Sequence, residues 1–252
     1  MKPKIHVSFS GNGPAIVYLH GFLETHEIWN DFISSIGNYT HYAFDLPGFG
    51  RSELPFAEFT LEEIARIIKE ETELLKLTGF HLVGHSLGGY IALSFLKLFP
   101  EKVRSITLFH STTLPDSDEK KDNRTKTIQF IDENGVETFA RNFVKPLFAN
   151  PNHTIIPKIQ ELAVKSNPRT VIQYLAAMRD RYDNTSTLIS SNKPAFLILG
   201  EKDTVINHQT LKSALEKGKN IEISTLPTVG HMGMFEETEL TSELLVNFLD
   251  RI

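Results

Sequence analysis

Cysteine is missing from all 252 residues, which removes disulfides, thiolate nucleophiles and cysteine-held zinc from consideration. No apolar run approaches the roughly 18 residues needed to cross a bilayer. The opening Met1-Lys2-Pro3-Lys4 also lacks the apolar stretch of a secretion signal. A cytoplasmic chain with no membrane partner is therefore expected. Positive charge is not in excess either: 26 Lys and Arg against 31 Asp and Glu leave a net charge of −5. Without a Lys/Arg stripe interleaved with aromatics, no nucleic-acid partner is expected. No His, Asp and Glu spacing suggests a metal, and no cofactor is expected. Repeats and low-complexity tracts are absent.

What remains is a chain of ordinary globular composition, 40% hydrophobic and 23% charged, long enough for one large α/β domain. Short apolar strands alternate with helical stretches. Ile5 to Ser10 and Ala15 to Leu19 flank "GNG" and read as a hairpin. Helical "EIWNDFISSI" precedes a strand at Thr40–Asp45, and Thr60–Thr78 has apolar residues at helical spacing, among them Leu61, Ile64, Ile67, Ile68, Leu74 and Leu75. Strand Phe80–Val83, helix Leu87–Phe99 and strand Val103–Phe109 follow. After a long interruption, strand Pro194–Gly200, helix Gln209–Lys217, strand Ile221–Leu226 and a helix from Glu239 resume the pattern. Continuous apolar strands between helices predict a mostly parallel, doubly wound sheet covered on both faces. A structureless loop as long as the interruption is improbable in a compact domain. The expected organisation is a core of residues 1–111 and 192–252, with 112–191 as a helical cap over one end of the sheet.

Within this pattern, "HLVGHSLGG" runs from His81 to Gly89. It reads as strand, abrupt turn and helix, with Ser86 at the tip in a Gly-x-Ser-x-Gly arrangement. An ordinary N-capping serine would look similar, so the partners decide. Loops at the carboxyl ends of parallel strands share one rim, where ligands bind. Asp203 follows the strand ending at Gly200, and His231 follows the strand ending at Leu226. A serine needs a histidine to take its proton, and the histidine needs a carboxylate to fix its tautomer. Ser86, His231 and Asp203 supply that set, with Glu201 as the alternative acid.

These residues carry a resemblance. "VYLHGFLETHEIW", "FDLPGFGRS", "GHSLGG", "LGEKDTV" and "VGHM" resemble, in order, the oxyanion, fourth-strand, nucleophile, acid and histidine loops of the α/β-hydrolase superfamily. "AMRDRYDNTSTLISSNKPAFLILGEKDTV" resembles the end of the cap in its small esterases, lactonases and cofactor-free perhydrolases. The family's eight strands would leave the first one short or missing here. The resemblance implies an oxyanion hole from the backbone N–H groups of Phe22 and Leu87, whose side chains carry no chemistry. Gly21, Gly88 and Gly89 allow close backbone approach. His20 is expected to brace the oxyanion loop, His85 to pack, and Asp45 and Arg51 to support the "DLPGFGRS" loop. Trp29 is expected to pack in its helix, with a place facing the pocket as the alternative. Phe130, Phe139, Phe143, Phe148, Tyr174 and Met178 read as the cap's core, with Tyr90, Phe143 and Met178 as pocket candidates.

The implied reaction is hydrolysis of a small carboxylic ester through an acyl-enzyme. Lactonases, C–C hydrolases and the menaquinone-pathway synthase share the triad, as does a pimeloyl-carrier-protein methyl esterase. Some relatives are small-molecule receptors instead. The synthase usually has an arginine after the second glycine, where this chain has Tyr90. A cap rich in Phe and Leu therefore predicts neutral esters of short to medium acyl chains. The competing view turns Arg124, Arg141 or Arg181 inward to bind an anion, with Arg181 already paired to Asp183.

Overall fold

A computed structural model describes residues 3–55 and 58–252; Met1, Lys2, Phe56 and Ala57 lie outside it. In chain order the elements are β1 (Val7–Gly11), β2 (Ala15–Leu19), α1 (Asn30–Ser34), β3 (Thr40–Phe44), α2 (Leu61–Leu74), β4 (Phe80–His85), α3 (Leu87–Leu98) and β5 (Val103–Phe109). Five helices follow: α4 (Asp118–Asn134), α5 (Glu137–Val144), α6 (Ile156–Ala163), α7 (Pro168–Arg179) and α8 (Thr185–Ser190). The chain ends with β6 (Ala195–Gly200), α9 (His208–Leu215), β7 (Ile221–Leu226), α10 (Gly233–Glu236) and α11 (Thr238–Leu249).

Seven strands form one sheet in the order β1-β3-β2-β4-β5-β6-β7. All neighbours are parallel except β1 and β3. The expected hairpin of β1 with β2 is therefore wrong, because β3 lies between them. Its residues pair with both, Thr40 facing Gly11 on one side and Ala15 on the other. The glycine signal belongs to a wrap around the start of β3. Gly11 has φ +82, and a Cβ there would stand 2.2 Å from the carbonyl oxygen of Tyr39.

The central strand β4 is buried at every residue. Helix α3 behind it is buried from Leu87 through Leu96, the burial expected of a parallel sheet covered on both faces. Helix α2 opens with a capping box between Thr60 and Glu63. Its Leu61, Ile64, Ala65, Ile67 and Ile68 face inward. It ends four residues before Thr78, since Lys76 takes φ 58, and Leu74 is exposed.

Between β5 and β6 the described residues hold helices and no strand. Helix α4 packs on α7, and α5 on α6. Phe139, Phe143, Phe148, Tyr174 and Met178 are buried or packed against the core. Phe130 is instead exposed on α4. Tyr174 lies wholly buried and donates its hydroxyl to the carbonyl of Pro47 at 3.0 Å, pinning α7 to the loop after β3. Among the described residues no helix is long and apolar enough to cross a membrane.

Candidate active site

Ser86 stands between the end of β4 and the first turn of α3, with φ 48 and ψ −113. A non-glycine residue there is strained and persists only where its surroundings enforce it. Its N–H donates to the carbonyl of Phe109 at 3.0 Å, and its carbonyl accepts from the Ser111 hydroxyl at 2.7 Å. The helix comes so close to β2 that a Cβ on Gly88 would stand 2.2 Å from the Leu19 carbonyl oxygen. Ser86 sits at the tip of this turn, and its side chain caps no helix N–H.

His231 follows β7 and is held by its own backbone, its N–H donating to the Leu147 carbonyl at 2.7 Å. Its Nδ1 donates to Asp203 Oδ2 at 2.7 Å, which leaves Nε2 as the free acceptor nitrogen. Asp203 Oδ1 accepts the N–H groups of Val205 and Ile206 at 2.8 and 3.0 Å. Burial alone would raise its carboxyl, but His231 and the nearby His110 hold it far below the carboxylate range. The Glu201 side chain is exposed and takes no part in this pairing, so the carboxylate partner is Asp203.

The N–H groups of Phe22 and Leu87 have no protein acceptor among the described residues. The loop carrying Phe22 is fixed from both sides. His20 Nε2 accepts the N–H of Leu46 at 2.9 Å, so its Nδ1 must donate to the Gly21 carbonyl at 2.7 Å. Glu24 accepts the N–H of Gly21 at 2.6 Å and the His85 Nδ1 proton at 2.9 Å. His20 braces as expected, whereas His85 does more than pack. Its Nε2 donates to the His231 carbonyl at 2.9 Å, so both ring nitrogens face acceptors. Burial works against a charged ring, yet Glu24 outweighs it and lifts the His85 pKa.

Phe22, Ser86, Tyr90, Phe143, Met178 and His231 meet around one cavity of about 240 Å³. All three pocket candidates therefore line it. Larger clefts elsewhere, such as one of about 490 Å³ along β1 and β3, carry no comparable set of nucleophile and base. Trp29 lies wholly buried among the rings of Tyr18, Phe32, His85 and Phe109 and does not line the cavity.

Of the cavity's other wall, formed by Asp116, Lys120, Asn123, Arg124 and Thr127, sequence reasoning had weighed only Arg124 and missed the rest. Arg181 stacks 4.2 Å from the Tyr90 ring centroid. Its partner is Asp116, at 2.8 Å, and not Asp183; Arg124 contacts the same carboxylate. Arg141 is exposed and held by Glu137 and Glu161.

His110 was missed as well. It is fully buried with φ 44, lies 3.6 Å from Asp203, and neither ring nitrogen is hydrogen-bonded. Burial drops its pKa to about 4. One further group is close enough to hold a metal by distance, His6, His26 and Asp45; no spacing had signalled it. The Asp45 oxygens already accept the N–H of His26, the His26 ring and the N–H of Arg51, the loop support expected of this carboxylate.

Comparison with known proteins bears on the whole chain. A dihydrolipoyllysine-residue acetyltransferase component of the acetoin cleaving system from Pseudomonas putida is 28% identical over 82% of this chain. The chain spans 55% of that relative's length. Bos taurus monoacylglycerol lipase ABHD6 is 25% identical over 95% of this chain and 76% of its own. Among solved structures, a thermophilic esterase from Thermogutta terrifontis superposes with a TM-score of 0.92, at 23% identity, over 98% of this chain and 93% of that one. Residues 14–238 match the family model of the alpha/beta hydrolase fold, and the chain belongs to that family.

Proposed function

We propose that the chain is a serine hydrolase that cleaves a small carboxylic ester through an acyl-enzyme. Ser86 Oγ attacks the ester carbonyl while His231 Nε2 takes its proton. Asp203 holds the imidazole in the required tautomer and stabilises the cation that forms. The N–H groups of Phe22 and Leu87 receive the developing oxyanion. His231 then returns the proton to the leaving alcohol, and water attacks the acyl-enzyme by the reverse sequence. Residues 112–191 act as the cap that closes the cavity over Ser86.

The observation that carries this reading is the 2.7 Å His231–Asp203 bond beside a serine held at positive φ on the same cavity. Relatives described as a lipase and an esterase support the same class. The test is a fluorophosphonate probe with p-nitrophenyl acetate turnover. Labelling at Ser86, lost in Ser86→Ala, with steady release of many equivalents of p-nitrophenol is expected. Labelling elsewhere would overturn the assignment of the nucleophile. A single stoichiometric acylation without turnover would mark a receptor on this fold.

A further inference from the structure

The cavity over Ser86 has two unlike walls. One is apolar, with Phe22 packed 5.6 Å from the Phe143 ring and Met178 and Leu175 alongside. The other is a single face of α4. Lys120, Asn123, Arg124 and Thr127 line the cavity at intervals of three and four residues, so they lie one above another on the helix. A wall built for a purely apolar substrate would carry Leu or Phe at such positions. This one carries two cations, an amide and a hydroxyl.

The charges on this wall do not balance. Among the described residues, Asp116, whose side chain is 1% exposed, is the carboxylate paired with both Arg124 and Arg181. Lys120 adds a third cation. Its ammonium donates to the Val205 carbonyl at 3.0 Å and meets no carboxylate at ion-pair distance among the described residues. The other carboxylate nearby, Asp203, is engaged with His231. Helix stability does not explain the lysine, because it sits in the first turn of α4, where a cation opposes the helix dipole. The residue as a whole is exposed, yet desolvation around its ammonium pulls the amine below the usual lysine range, an effect that a bound anion would reverse.

We propose that this face of α4 is an anion subsite, and that the ester cleaved at Ser86 bears a carboxylate or a similarly small anion held by Lys120, with Asn123 and Arg124 beside it. The proposal rests on the serine-hydrolase reading and names its substrate class. It replaces the expectation of neutral esters. The first turn of α3 supplies no cation, with Tyr90 after its second glycine, but the insertion does. Of the arginines weighed for this role, Arg141 points away, and Arg181 is spent on Asp116 and the Leu114 carbonyl. Among the described residues lining the cavity, Lys120 is the cation without a carboxylate at ion-pair distance.

The experiment compares matched esters on the intact chain at low ionic strength. One series places the anion on the acyl side, p-nitrophenyl hemisuccinate and hemiglutarate against the butyrate and valerate. The other places it on the alcohol side, the acetate of 4-hydroxybutyrate against butyl acetate. A charge-assisted hydrogen bond predicts a kcat/KM advantage of about tenfold or more for the anionic ester in at least one series. The advantage should appear in KM, shrink as NaCl rises to 0.5 M, fall to about twofold or less in Lys120→Met, and survive largely in Lys120→Arg. Faster turnover of the neutral ester in both series, or an advantage unchanged in Lys120→Met, overturns the subsite and leaves the hydrolase standing. Failure to turn over any ester, with Ser86 unlabelled by fluorophosphonate, overturns the hydrolase reading and the subsite with it.

Discussion

Glu24 and His85 form a buried pair that touches the loops carrying Phe22, Ser86 and His231. Glu24 holds the N–H of Gly21 next to the proposed oxyanion donor, His85 immediately precedes Ser86, and its other nitrogen holds the His231 carbonyl. Each lifts or lowers the other against the effect of burial: Glu24 titrates below its usual range and His85 above it. Removing one partner of such a pair typically costs about 3–5 kcal/mol. Glu24→Gln is therefore expected to lower unfolding free energy by that order, read by urea denaturation, and to depress kcat more than it raises KM. A loss below about 1 kcal/mol would show that the pair is not charged. Asp203→Asn has a different signature. An amide oxygen can keep the Val205 and Ile206 N–H bonds, but its NH2 group would then face His231 and favour the wrong tautomer. A fall in kcat of about 10⁴ is expected, together with loss of the stability that the buried anion contributes near neutrality, while Glu201→Gln should be nearly silent. Ser86, Asp203 and His231 were legible in the sequence because each sits in a local turn signal after a strand. Glu24 was not, since its partner is 61 residues away and nothing in "HGFLE" announces a buried carboxylate.

Elements were legible where a period or a breaker marks them. β5 and β7 fall on the residues expected, and Pro100 stops α3 within one residue of the expected end. The order of β1, β3 and β2 was not legible, because a glycine-rich link of this length serves a tight hairpin and a wrap around a third strand equally well. The insertion was readable as helical, but the role of α4 was hidden by its polarity. A helix with only Ile131 buried looks like a solvated face, whereas part of it lines the cavity. Asp116, just before α4, ties it through Arg181 to the segment after α7. Asp116→Asn would leave Arg124 and Arg181 competing for a neutral amide, a disruption of about 3–5 kcal/mol if the pair behaves as a buried one. The expected result is a looser α4, seen as faster amide exchange and proteolytic nicking between β5 and α5, with exchange in β4 and β5 less affected. Uniform acceleration across the sheet would show instead that the insertion and core unfold as one unit.

At the scale of the whole molecule, the buried histidines set the response to acid. Burial lowers His81 and His110 to about 4, against an unfolded value near 6.5. Between those limits the unfolded chain binds protons that the folded chain refuses. Their stabilising contribution is complete above about pH 6.5 and is lost as pH falls toward 4. Each histidine removes about 1.4 kcal/mol per pH unit inside that window. Below it the carboxylates take over. Asp45 is held at about 2 despite its burial, by the His26 ring and by backbone N–H bonds, and Asp203 and Glu24 are depressed as well. Their contributions are present above about pH 4 and disappear as pH falls through their folded values. His85 runs the other way: its raised pKa makes its ion pair with Glu24 a contribution that is lost as pH rises through that value. Stability should therefore peak near neutrality and decline with a steep acid limb that begins above the carboxylate range. Urea midpoints measured from pH 4 to 9 test this, and His81→Phe isolates one histidine. His81 lies far from the proposed chemistry, hydrogen-bonded to Ser105 and packed against Tyr39, so activity at pH 7.5 does not complicate the comparison. The variant should lose close to one proton's worth of slope between pH 5 and 6.5, making its stability curve flatter there than that of the parent. An identical slope in both proteins would show that His81 takes up its proton in the folded state, and that the acid limb belongs to the carboxylates alone.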